Sequence, residues 1–171
     1  MWLIKNDERK IFALILGGPN KYYNYSTKNM KRIFSILHNL NKKQNFQLVV
    51  IPSMRTPKNT IQYAKEFFGE NHTIIENIDK KAYLSALALS EYIIVTCDSS
   101  SMISEAALTG KPIYVANILP NKNDRRFQKF RNLFRELNIT RNLGEPFEKW
   151  NYKKLDETNR VAKIINERIN Q

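Results

Sequence analysis

Cysteine is almost missing from this chain. One in 171 residues, Cys97, leaves no intramolecular disulfide framework and no cysteine-rich metal site. Histidine is as scarce: His38 and His72 stand far apart, so no histidine-based metal site is expected. No apolar run approaches the roughly 20 residues that a membrane-spanning helix needs. The opening residues, MWLIKNDERK, are too short and too charged for a secretory leader. Glycine is sparse, with five residues. Neither the G-x-G-x-x-G dinucleotide fingerprint nor the G-x-x-x-x-G-K-[ST] phosphate loop occurs. The G-x-S-x-G elbow of serine hydrolases is missing too, and neither histidine sits in a context that would activate a serine. What remains is a cytoplasmic protein of one domain over residues 1–171, with residues 1–9 as a linker or N-terminal extension.

Positive charge is what the chain has in excess. The formal net charge is +12. Residues 1–45 hold nine Lys/Arg against two Asp/Glu, residues 46–120 six against seven, and residues 121–171 thirteen against seven. The ends are basic and the middle is neutral. Such a surplus suits phosphorylated ligands, a peripheral contact with an anionic membrane, or nucleic acid. It also follows from a composition rich in Asn and Lys and poor in Gly. No RNP, KH or helix-turn-helix pattern is present, so nucleic acid ranks last among these partners.

Apolar runs alternate with helical patterns. KIFALILGG (Lys10–Gly18) reads as a buried strand stopped by glycines. STKNMKRIFSILHNLNKK places Met30, Ile33, Ile36, Leu37 and Leu40 at helical spacing, with Ser26 as N-cap. FQLVVIPS is a second strand, followed by a helix with Thr56 as cap and Pro57 in its first turn, running to Phe68. HTIIE, YIIVTC and PIYVAN are further strands; an Asp79-capped helix and a helix over Ser101–Thr109, closed by Gly110, separate them. The expected strands lie near residues 11–16, 47–51, 73–76, 92–96 and 112–116. Continuous rather than alternating apolar runs, separated by helices, point to a parallel sheet covered on both faces. Beyond Asn117, NDRRFQKFRNLFRELN forms an amphipathic helix with Phe127, Phe130, Leu133, Phe134 and Leu137 on one face. A final helix is expected over residues 152–170.

In a doubly wound parallel sheet, ligands bind beyond the carboxyl ends of the strands. At the fourth strand, the serines of VTCDSSSMISEAALTG lead into a helix. Hydroxyls, unpaired N–H groups and the helix dipole together suit a phosphate or diphosphate. Glu105 stands one turn after Ser101: it either closes a capping box or accepts from the two hydroxyls of a ribose. Plain capping carries about equal weight. After the first strand, Gly17 and Gly18 permit close backbone approach, and Lys21, Tyr22, Tyr23 and Tyr25 either contact a ligand or cover the sheet edge. Arg55 follows the second strand, where a guanidinium can clasp a phosphate. Arg125 and Arg126 follow the fifth, on the same rim.

SEYIIVTCDSSSMISEAALTGKPIYV resembles the second-domain signature of GT-B glycosyltransferases. That resemblance implies a donor diphosphate on Ser99, Ser100, Ser101 and Ser104, and a ribose on Glu105. Four blocks in order, LGGPNKYY, PSMRTP, VTCDSSSMISEAALTGKPIYV and RRFQKFRNLFRELNITR, resemble the plant mitochondrial-fission-factor family and its bacterial homologues, often labelled predicted nucleoside-diphosphate-sugar epimerases. The match spans roughly Ile11 to Arg141. It implies a Rossmann-like doubly wound sheet of five or six strands, the C-terminal half of a GT-B fold, with a nucleoside-diphosphate-sugar as ligand and no cofactor or metal. The first, acceptor-binding domain would then come from elsewhere, as an N-terminal domain or a partner chain. A nicotinamide-dependent epimerase is not expected: the residues four after Tyr22, Tyr23 and Tyr25 are Ser26, Thr27 and Asn29, not lysine. The expected function is nucleotide-sugar binding without turnover by this chain alone. The alternative is a noncatalytic interaction module. A homo-oligomer is expected, with Tyr22–Tyr25 and the Phe127, Phe130 and Phe134 face as the surfaces a partner would cover.

Overall fold

The computed structural model describes residues 8–170. Most of the expected N-terminal extension, residues 1–7, therefore lies outside the described residues. Six strands form one sheet: β1 (Ile11–Leu16), β2 (Gln47–Pro52), β3 (Thr73–Ile74), β4 (Tyr92–Thr96), β5 (Ile113–Ala116) and β6 (Thr140–Asn142). Their order is β3-β2-β1-β4-β5-β6, and every pairing is parallel. Six helices connect or follow them: α1 (Thr27–Gln44), α2 (Lys58–Phe68), α3 (Lys80–Leu89), α4 (Ser100–Ala107), α5 (Arg125–Glu136) and α6 (Glu157–Ile169). This is the Rossmann-like fold that the alternation of runs implies.

The central strands are buried along their length because helices cover both faces. Phe12, Ala13, Leu14 and Leu16 of β1 and Ile93, Ile94 and Val95 of β4 are fully shielded from solvent. On one face Ala82 and Ala86 of α3 meet Ala13, Val49 and Ile51, and the small side chains let the helix lie close to the sheet. The other face carries the larger cluster, including Phe34 and Leu37 of α1. Fully burying one such large apolar side chain is worth about 1.5–3 kcal/mol, so the two middle strands alone account for much of the core. Aromatic rings Phe46, Phe12, Phe147 and Tyr114 follow one another at centroid separations of 3.9, 5.8 and 3.8 Å.

Ser26 and Asp79 cap α1 and α3 as their positions imply, each side chain accepting backbone N–H bonds. Several details differ from expectation. Thr56 does not cap α2; Pro57 holds the N-cap position, and the Thr56 hydroxyl instead donates to the Gly17 carbonyl (2.5 Å). The helix after β4 begins at Ser100 with Ser99 as cap, so its third position is Met102, and Ser101 and Glu105 form no capping box. The last helix begins at Glu157 rather than 152; Tyr152 instead anchors the preceding segment by donating to the Lys111 carbonyl (2.9 Å). The third strand is two residues long. A sixth strand, Thr140–Asn142, has no apolar run to announce it: β5 supplies its hydrogen bonds, and Arg141 lies over the Trp150 ring at 4.3 Å. Of the aromatics expected at a partner surface, Tyr23, Tyr25 and Phe134 are buried, because the two phenols turn inward to carboxylates and Phe134 packs against the core. Exposed apolar surface instead runs along α6, exposed throughout, whose Val161, Ile164, Ile165 and Ile169 recur at helical spacing.

Candidate functional site

The order of the strands fixes where a site belongs. The chain winds outward from β1 in one direction through β2 and β3, and in the other through β4, β5 and β6. The loops after β1 and β4 therefore part company and open a crevice at the carboxyl edge.

Asp98 is the hub of that crevice. It is 2% exposed, yet it accepts from three donors. The Gly18 N–H reaches its Oδ2 at 2.9 Å, Arg55 Nη2 the same oxygen at 3.1 Å, and the Tyr25 phenol its Oδ1 at 2.6 Å. Thr96 Oγ1 lies 2.7 Å from the Tyr25 oxygen and accepts from Gly17 N–H at 2.8 Å. A carboxylate can only accept, so the phenol proton points to Asp98 and the threonine hydroxyl donates to the phenol. Burial first, then the Asp98 charge and hydrogen bond, push the Tyr25 phenol far above its ordinary value, so it stays a donor.

Arg55 completes the clasp: its Nη1 donates to the Gly18 carbonyl at 2.8 Å. The approach is close enough to forbid side chains. A Cβ on Gly17 would stand 2.2 Å from Asp98 Oδ2, and one on Gly18 would stand 2.1 Å from the Arg55 carbonyl oxygen. The protein itself, through Asp98 and Arg55, fills the room that the two glycines leave.

Immediately after Asp98 comes the N-terminus of α4. Ser99 Oγ accepts from Met102 N–H at 3.5 Å and lies 3.2 Å from Ser101 Oγ. Ser101 is exposed at the rim. Ser104 and Glu105, a turn further on, line an apolar groove of about 570 Å³ with Leu108, Leu133, Leu137 and Leu155. One oxygen of Glu105, Oε2, accepts from the Tyr83 phenol at 2.8 Å. Burial, then that bond to Glu105, raise the Tyr83 pKa well above the ordinary phenol range, so the phenol is the donor there as well.

A second carboxylate sits on the far side of the same loop. Asp124, 1% exposed, accepts from the Tyr23 phenol, from Gln128 Nε2 at 2.6 Å and from Arg131 Nη2 at 3.0 Å. Burial alone would push this carboxyl up; the bonds from Tyr23 and Arg131 outweigh it and hold the pKa below the usual value. Between the clusters the Cys97 thiol accepts from Ile118 N–H at 3.1 Å, and burial pushes it up to about 11, so it is an inert core thiol. On the rim, Lys21 lies over the Tyr22 ring at 4.9 Å, and Arg125 and Arg126 are exposed and form no ion pair among the described residues.

The structure thus draws Gly17, Gly18, Arg55 and the turn into Ser99 and Ser100 together, and sets Lys21, Arg125 and Arg126 around the second cluster. It places Ser104 on the groove side of α4. Sequence reasoning missed Asp98, Tyr25 and Thr96 as a unit. The available signal was an acid closing a fully apolar strand, a place where an unpaired charge is costly.

A six-stranded parallel sheet in this order, with a serine turn at its switch point, defines a Rossmann-like α/β protein. Among solved structures, the UDP-GlcNAc 2-epimerase of Methanocaldococcus jannaschii in complex with UDP-GlcNAc and UDP is similar in fold: TM-score 0.51 and 16% identity over 93% of this chain and 46% of that one. Residues 2–169 match the family model described as Mitochondrial fission ELM1, and the chain belongs to that family. It is 33% identical over 168 residues to the uncharacterized protein RP120 of Rickettsia prowazekii (strain Madrid E), covering 92% of this chain and 46% of that protein. It is 26% identical over 162 residues to the Mitochondrial fission protein ELM1 of Arabidopsis thaliana, covering 92% of this chain and 37% of that one. The chain thus spans less than half the length of the curated relatives it matches. Among the described residues no helix is long and apolar enough to cross a membrane.

Proposed function

We propose that this chain is the nucleoside-diphosphate-sugar-binding half of a GT-B-type protein and does not turn over a sugar nucleotide by itself. The diphosphate rests on the N–H groups and hydroxyls of Ser99, Ser100 and Ser101, with Ser104 one turn behind. Arg55 and the Gly17–Gly18 backbone flank it, and Glu105 accepts from the ribose through the oxygen that Tyr83 leaves free. Lys21, Arg125 and Arg126 add positive potential at the rim. The observation that carries this reading is the juxtaposition at the switch point: the end of β1 and a half-exposed arginine both bond the side chain of Asp98, the residue directly before Ser99, the cap of α4. The Methanocaldococcus jannaschii neighbour of the same fold is in complex with UDP-GlcNAc and UDP, which supports uridine nucleotides as first probes. Calorimetry on the parent and on Glu105→Ala tests it. The variant is expected to weaken UDP or GDP binding more than inorganic phosphate binding; equal affinities for the nucleotide would reduce Glu105 to a partner of Tyr83.

An interaction module on the same scaffold is the second reading, and α6 favours it. Its apolar stripe is exposed beside the groove, where Leu108, Leu133 and Leu137 are each half-exposed or more. Self-association through these surfaces would give a homo-oligomer. Sedimentation decides: a monomer at high micromolar concentration removes that form of the reading.

A further inference from the structure

We propose that Asp98 is a positioning residue for Arg55, a role that rests on the nucleotide-sugar reading above. Its buried carboxylate holds the guanidinium at the mouth of the crevice so that the unused N–H groups face the ligand diphosphate. Several observations converge on this role.

The carboxylate is itself immobilised, since the Gly18 N–H and the Tyr25 phenol occupy it from the protein side. The guanidinium is gripped at Asp98 Oδ2 and the Gly18 carbonyl, with a longer contact to the Pro19 carbonyl at 3.5 Å, so its plane is set before any ligand arrives. An arginine carries five N–H donors in a rigid fork. The Arg55 side chain is 44% exposed, so solvent reaches the guanidinium, and not all five donors are engaged by Asp98, Gly18 and Pro19. Asp98 also directly precedes Ser99, the cap of α4, so one residue joins the arginine to the helix N-terminus. Gly17 and Gly18 belong to the same device: without a Cβ they admit the carboxylate and the Arg55 backbone.

A preset cation binds a diphosphate without first losing side-chain freedom. Asp98 is thus spent on orientation, and its own charge is balanced by Arg55 when the site is empty. A lysine at position 55 could not do the same, because one ammonium cannot present a planar fork to two acceptors and a phosphate.

The test compares UDP with uridine, and GDP with guanosine, on the unmutated chain, Arg55→Gln, Asp98→Asn and the double variant. The readout is the ratio of nucleotide to nucleoside affinity, which a loss of folded protein does not change. Arg55→Gln is expected to lower that ratio about tenfold or more, Asp98→Asn by a similar factor, and the double variant no further than either. Arg55→Lys is expected to restore less than half of the loss on a logarithmic scale. A ratio unchanged in Asp98→Asn, or losses that multiply in the double variant, would overturn the proposal, because Arg55 would then act without Asp98. If Asp98→Asn does not fold, Tyr25→Phe removes a donor from the carboxylate and keeps its charge; a smaller fall in the ratio supports the role, and no fall overturns it. An unmutated chain that binds neither nucleotide overturns the nucleotide reading itself, a failure visible before any variant is made.

Discussion

Asp98 and Asp124 are built from the same parts and placed to different ends. Each is a buried carboxylate that accepts from one tyrosine phenol and one arginine, and the two tyrosines, Tyr25 and Tyr23, come from the same loop. The arginines differ. Arg131 lies within α5, 17% exposed, and reaches both Asp124 and the Tyr23 oxygen, at 3.0 and 2.7 Å. Its donors are turned inward, and the result is a rivet fastening α5 to the loop after β1. Arg55 comes from a rim loop, is 44% exposed, and has donors to spare. The lesson concerns exposure rather than residue type: the same triad locks the fold where its arginine is covered, and where its arginine is open it leaves donors for the ligand proposed above.

The comparison breaks most visibly at Asp124. Asp124→Ala leaves Arg131 buried without its charge partner, and losing one member of a buried pair costs about 3–5 kcal/mol; thermal or denaturant unfolding should register that loss. The acid limb carries the same information. The folded Asp124 carboxyl is held below its ordinary value, so its contribution is present above the unfolded carboxyl's pKa of about 4 and lost as pH falls from there through the depressed folded value. Asp124→Asn should therefore flatten the stability profile below about pH 4. A profile as steep as the parent's would remove Asp124 from the account.

Gly17→Ala should rank next. The added Cβ meets Asp98 at 2.2 Å, and relieving such overpacking costs about 1–3 kcal/mol. Arg55→Gln is the sharpest contrast with Asp124. Asp98 is fully buried, so the substitution leaves its carboxylate with the Gly18 N–H, the Tyr25 phenol and any bond the glutamine amide can make; a loss of about 1–3 kcal/mol is expected, smaller than at Asp124, while the nucleotide preference falls. If Arg55→Gln instead destabilises the fold as much as Asp124→Ala, both clusters are rivets. Ending the chain after Asp156 should have the smallest effect, within about 0.5 kcal/mol, because no residue of α6 is buried. A larger loss, or conversion of an oligomer to a monomer, would show that α6 packs on another surface in solution.

What could be read from sequence follows from how each element is stabilised. β1, β2, β4 and β5 announce themselves because burial on both faces demands unbroken apolar runs, and Ile11–Leu16 and Tyr92–Thr96 match expectation to the residue. β6 could not announce itself: Thr-Arg-Asn becomes a strand because β5 offers an edge, not because of its own side chains. The serine turn and its position were legible. The Asp98 hub was not, because its three donors lie 80, 73 and 43 residues away along the chain, and no local pattern records such distances. Thr56 and Glu105 carry the same lesson. Each had a local capping role available, and a tertiary partner, Gly17 or Tyr83, took the side chain instead.

The strand order also governs how the molecule is made. β1 lies in the middle of the sheet, and one of its two neighbours is β4, with Phe12 opposite Tyr92. A ribosome adding about 5–20 residues per second therefore leaves one edge of the most apolar strand unpaired for several seconds after it emerges. During that interval β2 can cover only one side, and the other is open to any extended segment nearby. The same separation lengthens the loop that must close before the central pair forms, which slows folding. Refolding of the purified chain should accordingly compete with aggregation in a concentration-dependent way, and a chaperone that shields extended apolar segments should raise the yield.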